Sequence, residues 1–363
     1  MIETSQIAAA AENFAVEGHF LGAEPYGSGH INDSFCASFN GTAPATRILL
    51  QRINKRIFTN PAAVMENIER VTAHLAARVA DVADAERRVL RLIPTREGRT
   101  FHVDAGEEVW RAYRFIPAAR SYDRVETQEQ AFEAARAFGH FQQMLADLPA
   151  PRLHDTIPDF HNTPKRFAAL KAAIRADAAG RARDAQREID FALAHEPVTR
   201  VLLEAGLPER VTHNDTKLNN VLLDDATGEG ICVIDLDTVM PGLALYDFGD
   251  LVRTAATRAR EDETNLELVT LELGMFEALV RGYLTTAGSF LTRVEVDLLA
   301  AAGKLITFET GIRFLADHLN GDTYFKVHRP GHNLDRCRTQ FKLVAAIEAA
   351  EGRMRELVAE AAR

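Results

Sequence analysis

Cysteine is scarce: Cys36, Cys232 and Cys337 are the only three in 363 residues. They form no Cys-x-x-Cys pair and no metal-ligand spacing. That excludes a zinc ribbon or a disulfide framework and makes a reducing cytoplasm the simplest setting. Each reads as a small apolar residue of a core. Basic charge is short as well, with 42 Lys and Arg against 52 Asp and Glu and a formal net charge of −10. This disfavours a broad nucleic-acid surface but leaves room for a local basic pocket. Long uncharged apolar runs are missing. The longest apolar stretch, Leu298 to Leu319, carries Lys304, Glu309, Arg313 and Asp317. It reads as a buried amphipathic helix, not a membrane span. The opening MIETSQIAAAAENFAVEG has early acidic residues and no basic leader region, so no secretory signal is expected. Internal repeats and low-complexity segments are absent.

What is present divides into two parts. The first is mixed. TRILLQRIN (Thr46 to Asn54) reads as a strand after the turn-like NGTAPA. Pro61 opens PAAVMENIERVTAHLAARVA at helical spacing, a proline in a first turn. EEVWRAYRFIP (Glu107 to Pro117) reads as a strand that stops at Pro117. Beyond that the character is helical: QEQAFEAARAFGHFQQMLADL, then KRFAALKAAIRADAAGRARDAQREIDFALAH as one long region whose dense mixed charge is a solvated face. The expected division is residues 1–117 and 118–363, with the boundary near Phe115 to Ser121.

The second part holds one departure from the helical pattern, RVTHNDTKLNNVLLDDATGEGICVIDLDT (Arg210 to Thr238). Two short apolar runs, NVLL and ICVID, flank the turn-rich DDATGEG and predict a hairpin. A turn centred between Thr227 and Gly228 would set Leu222 opposite Val233 and Asn220 opposite Asp235. An amide oxygen and a carboxylate at one end of a hairpin suit a hard cation such as Mg²⁺, which takes phosphate oxygens and water as further ligands. Asp215, just upstream, stands where a loop carboxylate could orient an attacking hydroxyl. Any one of these residues alone is an ordinary turn or cap residue. The ordered set is more specific.

His213-x-Asp215-(x)4-Asn220 followed by Asp235 resembles the catalytic loop and metal motif of the aminoglycoside phosphotransferase and choline kinase superfamily, itself similar to protein kinases. The resemblance implies an α+β, bilobal protein kinase-like fold, with a small β-rich first lobe and a large, mainly helical second lobe. It implies Asp215 as catalytic base, Asn220 and Asp235 as Mg²⁺ ligands, and ATP as co-substrate. Asp247 or Asp250 would buttress the catalytic loop, and His213 would anchor it. Gly27 and Gly29 fall where a phosphate-covering loop belongs, and Phe115 where a hinge would meet adenine. The usual Val-Ala-Ile-Lys strand motif is missing. Arg52 is the candidate cation for the phosphates, with Lys55 nearby and Glu66 or Glu69 as its helix partner.

EPYGSGHIN, HNDTKLNNVL, IDLDTVMPG, IRFLADHLNGDTYF and HNLDRCRTQFKLV together resemble the N-acetylhexosamine 1-kinases of that superfamily, from about Phe14 to the final helix. The resemblance implies transfer of phosphate from ATP to the anomeric hydroxyl of N-acetylglucosamine or N-acetylgalactosamine, with a sugar and ATP as partners and neither nucleic acid nor membrane. His30, Asn32, Asp215, Thr238, Arg313 and Tyr324 are its candidate sugar contacts. An Arg313–Asp317 salt bridge at i, i+4 is the bland alternative for Arg313. A kinase of the same fold acting on choline, ethanolamine, homoserine or an aminoglycoside stays open, as does a nucleotide-binding pseudokinase.

Overall fold

The computed structural model describes residues 2–27, 31–41 and 45–363. In chain order, α1 (Thr4–Glu12) precedes β1 (His19–Pro25), β2 (Asp33–Asn40) and β3 (Thr46–Arg52). Next come α2 (Pro61–Arg78), α3 (Ala85–Arg88), β4 (Leu92–Ile93), β5 (His102–Val103), β6 (Val109–Arg114) and β7 (Ala119–Arg120). Helices α4 (Gln128–Leu145), α5 (Thr163–Ala176) and α6 (Gln186–Ala194) lead to β8 (Arg210–Thr212), β9 (Val221–Asp224), β10 (Gly230–Val233) and β11 (Met240–Gly242). The chain ends in α7 (Ala244–Ala255), α8 (Leu273–Ala287), α9 (Arg293–Asp297), α10 (Leu299–Leu319) and α11 (His332–Ala361). An antiparallel sheet in the first part and a large helical remainder are the α+β, kinase-like architecture the sequence implies. No described helix is long and apolar enough to cross a membrane.

Two compact units emerge. The first comprises residues 1–120, 147–158 and 222–240, and the second residues 121–146, 159–221 and 241–363. In the first, β1, β2, β3, β6 and β4 pair in that order, with β5 also on β6. Period-two alternation buries Phe35, Ala37 and Phe39 of β2 and Ile48 and Leu50 of β3, and α1 closes that face with Ile7, Ala10 and Ala11. Helix α2 starts as its sequence demands, with Asn60 accepting from Ala63 N–H at 3.2 Å and Pro61 in the first turn. Its buried Asn67 donates to the carbonyls of His154 (2.9 Å) and Val239 (3.0 Å), and so holds the segment around Val239.

In the second unit α10 is the central helix. Phe308, Ile312, Leu315 and Leu319 pack with Phe167 and Leu170 of α5 and Cys337, Phe341 and Val344 of α11. Helix α7 lies close against α10 because Gly249 has no Cβ; one added there would sit 2.6 Å from the Ala302 carbonyl oxygen. The long helical region expected here is two helices, α5 and α6. Asp177 takes a left-handed conformation (φ 37°) that ends α5, and its carboxylate accepts from the N–H groups of Arg181 (2.7 Å) and Ala182 (2.9 Å). That local turn competes successfully with helix propagation.

The hairpin forms with strands of four residues, tied near its turn by Asp224 N–H to the Glu229 carbonyl at 2.9 Å. The ladder stops short of the two residues expected as its outermost pair. Asn220 ends a 3₁₀ turn before β9, and Asp235 leaves β10 with φ 60° and ψ 61°.

Candidate active site

Strand β8 delivers the chain to a tight loop in the second unit. His213 is fully buried, edge-on to Phe138 (5.2 Å) and Phe141 (5.9 Å). Asn214 turns left-handed (φ 65°). Asp247, in the first turn of α7, accepts from His213 N–H at 2.9 Å and from Asn214 N–H at 2.7 Å, one with each carboxylate oxygen. The Gln142 amide adds a third bond at 2.6 Å, and the Asp247 carbonyl accepts from the Thr216 hydroxyl at 2.5 Å. Burial pushes the Asp247 carboxyl up, and these donors oppose it. Asp247 is therefore the buttress of the loop. Asp250 plays a different part. It pairs with Arg253 at 2.7 Å, and Arg253 also reaches Glu261 at 2.9 Å.

The next residue is Asp215. Asn220 donates to its carbonyl at 2.8 Å and its carboxylate at 3.1 Å. Lys217 faces the other carboxylate oxygen at 2.8 Å. The Asp215 and Lys217 side chains keep 24% and 39% exposure, so the pair meets solvent. Partial burial acts to raise the Asp215 carboxyl, but the Lys217 ammonium, with His213 and Arg253 behind it, holds it below the usual carboxylate range. Lys217 shifts up in return, against burial, through Asp215 and Asp250. The result is an ionised carboxylate fixed from two sides, a group that can accept a hydrogen bond from a hydroxyl and align it. With its nitrogen committed to Asp215, the Asn220 side chain keeps an oxygen as its remaining donor atom for a cation.

A second cluster meets the same loop. His161 places Nδ1 2.8 Å from Glu309 of α10 and Nε2 3.2 Å from the Asn214 carbonyl oxygen. Thr163 donates to the other Glu309 oxygen at 2.5 Å. The Arg313 guanidinium lies over Phe160 (5.2 Å) and Phe325 (5.5 Å). It does not pair with Asp317. That carboxylate instead accepts from the N–H groups of Thr323 (2.9 Å), Tyr324 (2.8 Å) and Phe325 (2.9 Å) and from the Asn333 amide (2.9 Å). Asp317 thereby folds the Tyr324 loop back beside Arg313, with the Tyr324 ring edge-on to Phe325 at 4.8 Å and 49% exposed.

In the first unit, Asp235 precedes a 3₁₀ turn, Leu236–Thr238, in which Thr238 is buried. Asp237 accepts from Arg111, fully buried on β6, and from Asn32. Arg111 Nε donates to Gln51 at 3.0 Å, and its buried Nη2 has no partner among the described residues. Burial works against the Arg111 charge, and Asp237, with Asp235 nearby, raises it. The Asn32 side-chain oxygen accepts from Asn54 N–H at 3.0 Å. Arg52 is engaged differently from the expectation: it pairs with its cross-strand partner Asp33 at 2.7 Å, and Glu66 binds His154 at 2.8 Å. Lys55 reaches the Glu107 carbonyl at 2.7 Å. Phe115 lies under the Arg47 guanidinium (3.9 Å) and against Tyr26 (5.4 Å). Gly27 has φ 83° and open space where a Cβ would be. Gly29 and His30 lie outside the described residues.

Among the described residues no group of three or more His, Cys, Asp or Glu side chains could hold a metal alone. Asn220, in the second unit, and Asp235, in the first, each carry an oxygen of the kind a hard cation such as Mg²⁺ takes. His161, Glu309, Lys217 and Arg111 escaped the sequence reading. Lys217 had a signal, a cation two residues from the proposed base. Arg111 had one too, a charge inside the apolar run VWRAYRF.

The sequence model of the phosphotransferase enzyme family, APH, matches residues 22–282. Among solved structures, a microcompartment-associated aminopropanol kinase is 17% identical, covering 96% of this chain and 98% of its own at a TM-score of 0.59. Spectinomycin phosphotransferase APH(9)-Ia, in complex with ADP and spectinomycin, is 13% identical, covering 96% and 99% at 0.57. Choline kinase from Cryptosporidium parvum Iowa II is 15% identical, covering 97% of each chain at 0.56. These likenesses speak to the fold, and the family match speaks to more: spanning well over half its length, it shows that the chain belongs to the phosphotransferase enzyme family.

Proposed function

We propose that this phosphotransferase moves the γ-phosphoryl group of ATP to the anomeric hydroxyl of an N-acetylhexosamine, giving the α-sugar 1-phosphate. The observation that carries the reading is the Asp215 carboxylate, kept ionised by Lys217 and oriented by Asn220. In this role it accepts a hydrogen bond from the sugar O1 hydroxyl and aligns that oxygen with the phosphorus. Lys217, part-exposed beside it, supplies positive charge to the transferring group. Asn220 and Asp235 are the proposed Mg²⁺ ligands, the ion neutralising charge on the phosphates when bound. Residues 1–117 act as the nucleotide-covering lobe, with Gly27, Gly29 and Phe115 at the nucleotide. Residues 118–363 carry base and acceptor.

Acceptor chemistry is read from Arg313. Among the described residues no carboxylate closes an ion pair with it, and Arg166 shares its surroundings, donating to the Phe160 carbonyl at 3.2 Å. Two guanidiniums beside Phe160 and Tyr324 favour a neutral, oxygen-rich acceptor. They disfavour a cation, which wants carboxylates or open aromatic faces. His30 and Asn32, which follow the glycine loop, and Thr238, which follows the proposed metal motif, complete the proposed sugar contacts as hydrogen-bonding groups. The amino-alcohol and aminoglycoside acceptors in the names of the structural neighbours define the competing reading.

A panel of N-acetylhexosamines, choline, ethanolamine, homoserine and aminoglycosides with Mg·ATP, followed by phosphorus NMR of the products, tests both. Phosphate on the anomeric oxygen supports the proposal, and phosphate at O6 or on an amino alcohol defeats it. Nucleotide binding with no turnover of any acceptor points to a pseudokinase.

A further inference from the structure

Both ring nitrogens of His161 face acceptors. The Asn214 carbonyl, 3.2 Å from Nε2, can only accept, and an ionised Glu309, 2.8 Å from Nδ1, can only accept. A neutral imidazole carries one N–H and would set a lone pair against one of them. Glu309 is fully buried and His161 nearly so, with 0% and 7% side-chain exposure, so water does not resolve the conflict. Resting on the kinase reading above, we infer that His161 is a positioning residue of the catalytic loop, an imidazolium that clamps the carbonyl immediately before Asp215 and draws its charge from Glu309.

The surroundings fit this role. Asn214 holds a left-handed conformation that a non-glycine residue adopts at a cost. Its N–H is fixed by Asp247 at 2.7 Å and its side chain by the Thr212 hydroxyl at 3.0 Å. His161 fixes the one remaining backbone group, the carbonyl. The peptide plane entering Asp215 is thus held at both ends, its carbonyl by His161 and its N–H by His213 Nδ1 at 3.3 Å. Charged and titratable groups face the ring from three elements. Tyr246 of α7 packs on it at 4.9 Å, Glu309 and Arg313 come from α10, and Arg166 of α5 stands beyond Glu309. Burial alone would lower His161, and the Glu309 carboxylate reverses this, against an opposing push from Arg313. Burial alone would raise Glu309, and the imidazolium, with Arg313 and Thr163, reverses that. The charged clamp is complete below the ordinary histidine range and is lost as pH rises through a raised histidine pKa.

The test uses the full chain. Imidazole nitrogen NMR should find the His161 ring doubly protonated at pH 7.5, and in Glu309→Gln the ring should become neutral. His161→Phe removes the clamp but leaves Glu309 buried and unpaired, so the double variant His161→Gln/Glu309→Gln, whose amides can bond to each other, is measured beside it. In both, amide exchange at residues 213–217 should quicken about tenfold, with ADP affinity within about twofold of the parent. Turnover number should fall about tenfold to a hundredfold with KM for ATP unchanged. In Glu309→Gln the basic limb of the turnover profile should move to lower pH. A neutral His161 ring in the parent at pH 7.5, or unchanged exchange in the folded double variant, overturns the inference. If the parent turns over no acceptor, the phosphotransfer reading falls, while ring protonation and exchange still decide the clamp.

Discussion

One amide nitrogen of Asn220 donates to two oxygens of Asp215, its carbonyl at 2.8 Å and its carboxylate at 3.1 Å. The proposed metal ligand and the proposed base are therefore mechanically one object, and the base cannot turn without releasing the ligand. Asp215→Asn keeps the side-chain shape and removes the charge. It should lower turnover about 10²–10⁴-fold and leave Mg·ATP affinity within a few-fold. Unchanged turnover in steady-state assays would remove Asp215 from the mechanism.

Lys217 governs the pH at which that carboxylate stays ionised. With the ammonium 2.8 Å away, Asp215 is held below the usual range, so it remains charged as pH falls. Lys217→Met removes the cation while burial continues to favour the protonated acid. The acid limb of the kcat/KM profile should then move to higher pH. A limb that stays in place would show that another group sets it.

Asp247 holds the loop with both carboxylate oxygens. In Asp247→Asn an NH₂ group replaces one acceptor and points at a backbone N–H, so a buried donor loses its partner. The expected cost is about 1–3 kcal/mol, measured by urea unfolding, together with a fall in turnover at saturating substrates. Asp247→Ala should cost more, since two N–H groups are then orphaned.

The order of residues from His213 to Asp235 was legible because each polar group sits next to a short apolar strand, and the hairpin was legible from its turn composition. Helix α2 was legible from Pro61 and its apolar spacing. The supports of the loop were not. His161 meets Glu309 across 148 positions, and Gln142 meets Asp247 across 105, and no local pattern encodes such pairs. The Asp33 partner of Arg52 was hidden too, because cross-strand register, not local spacing, brings the two together. Arg313 was placed correctly on its helix, but its i+4 partner was already occupied by three N–H groups of the Tyr324 loop, a competition seen only in three dimensions. The break after α5 was missed because Asp177 stops a helix by a side-chain turn that its type permits but does not demand.

Arg111 and Asp237 form a fully buried ion pair, with 0% and 3% side-chain exposure. Arg111→Met leaves the Asp237 carboxylate in the interior without its counter-charge, so stability should drop by about 3–5 kcal/mol. The double variant Arg111→Met/Asp237→Leu removes both charges and should recover most of that loss in the same denaturant titration, because desolvation of the pair is removed along with its attraction. If the double variant is no more stable than the single one, the role of Arg111 extends beyond neutralising Asp237.

Arg313 carries the argument about the acceptor, and its variants separate the two readings of substrate. It stacks over Phe160 and Phe325 with its donors unclaimed by any carboxylate among the described residues. If it binds sugar oxygens, Arg313→Ala removes one or two charge-assisted hydrogen bonds, and KM for the N-acetylhexosamine should rise about 10–100-fold. KM for ATP should stay level, because the proposed nucleotide contacts, Gly27, Gly29 and Phe115, are other residues. Arg313→Lys keeps the charge but not the planar fork, so it should recover only part of the affinity. Arg313→Glu adds a further distinction: it should abolish sugar turnover and, by reversing the local charge, lower the barrier to a cationic alcohol such as choline. Steady-state kinetics of the three variants on both acceptors decides the matter. Equal sugar KM in Arg313→Ala and parent would take the guanidinium out of the acceptor site and leave its stacking on Phe160 and Phe325 as its whole role.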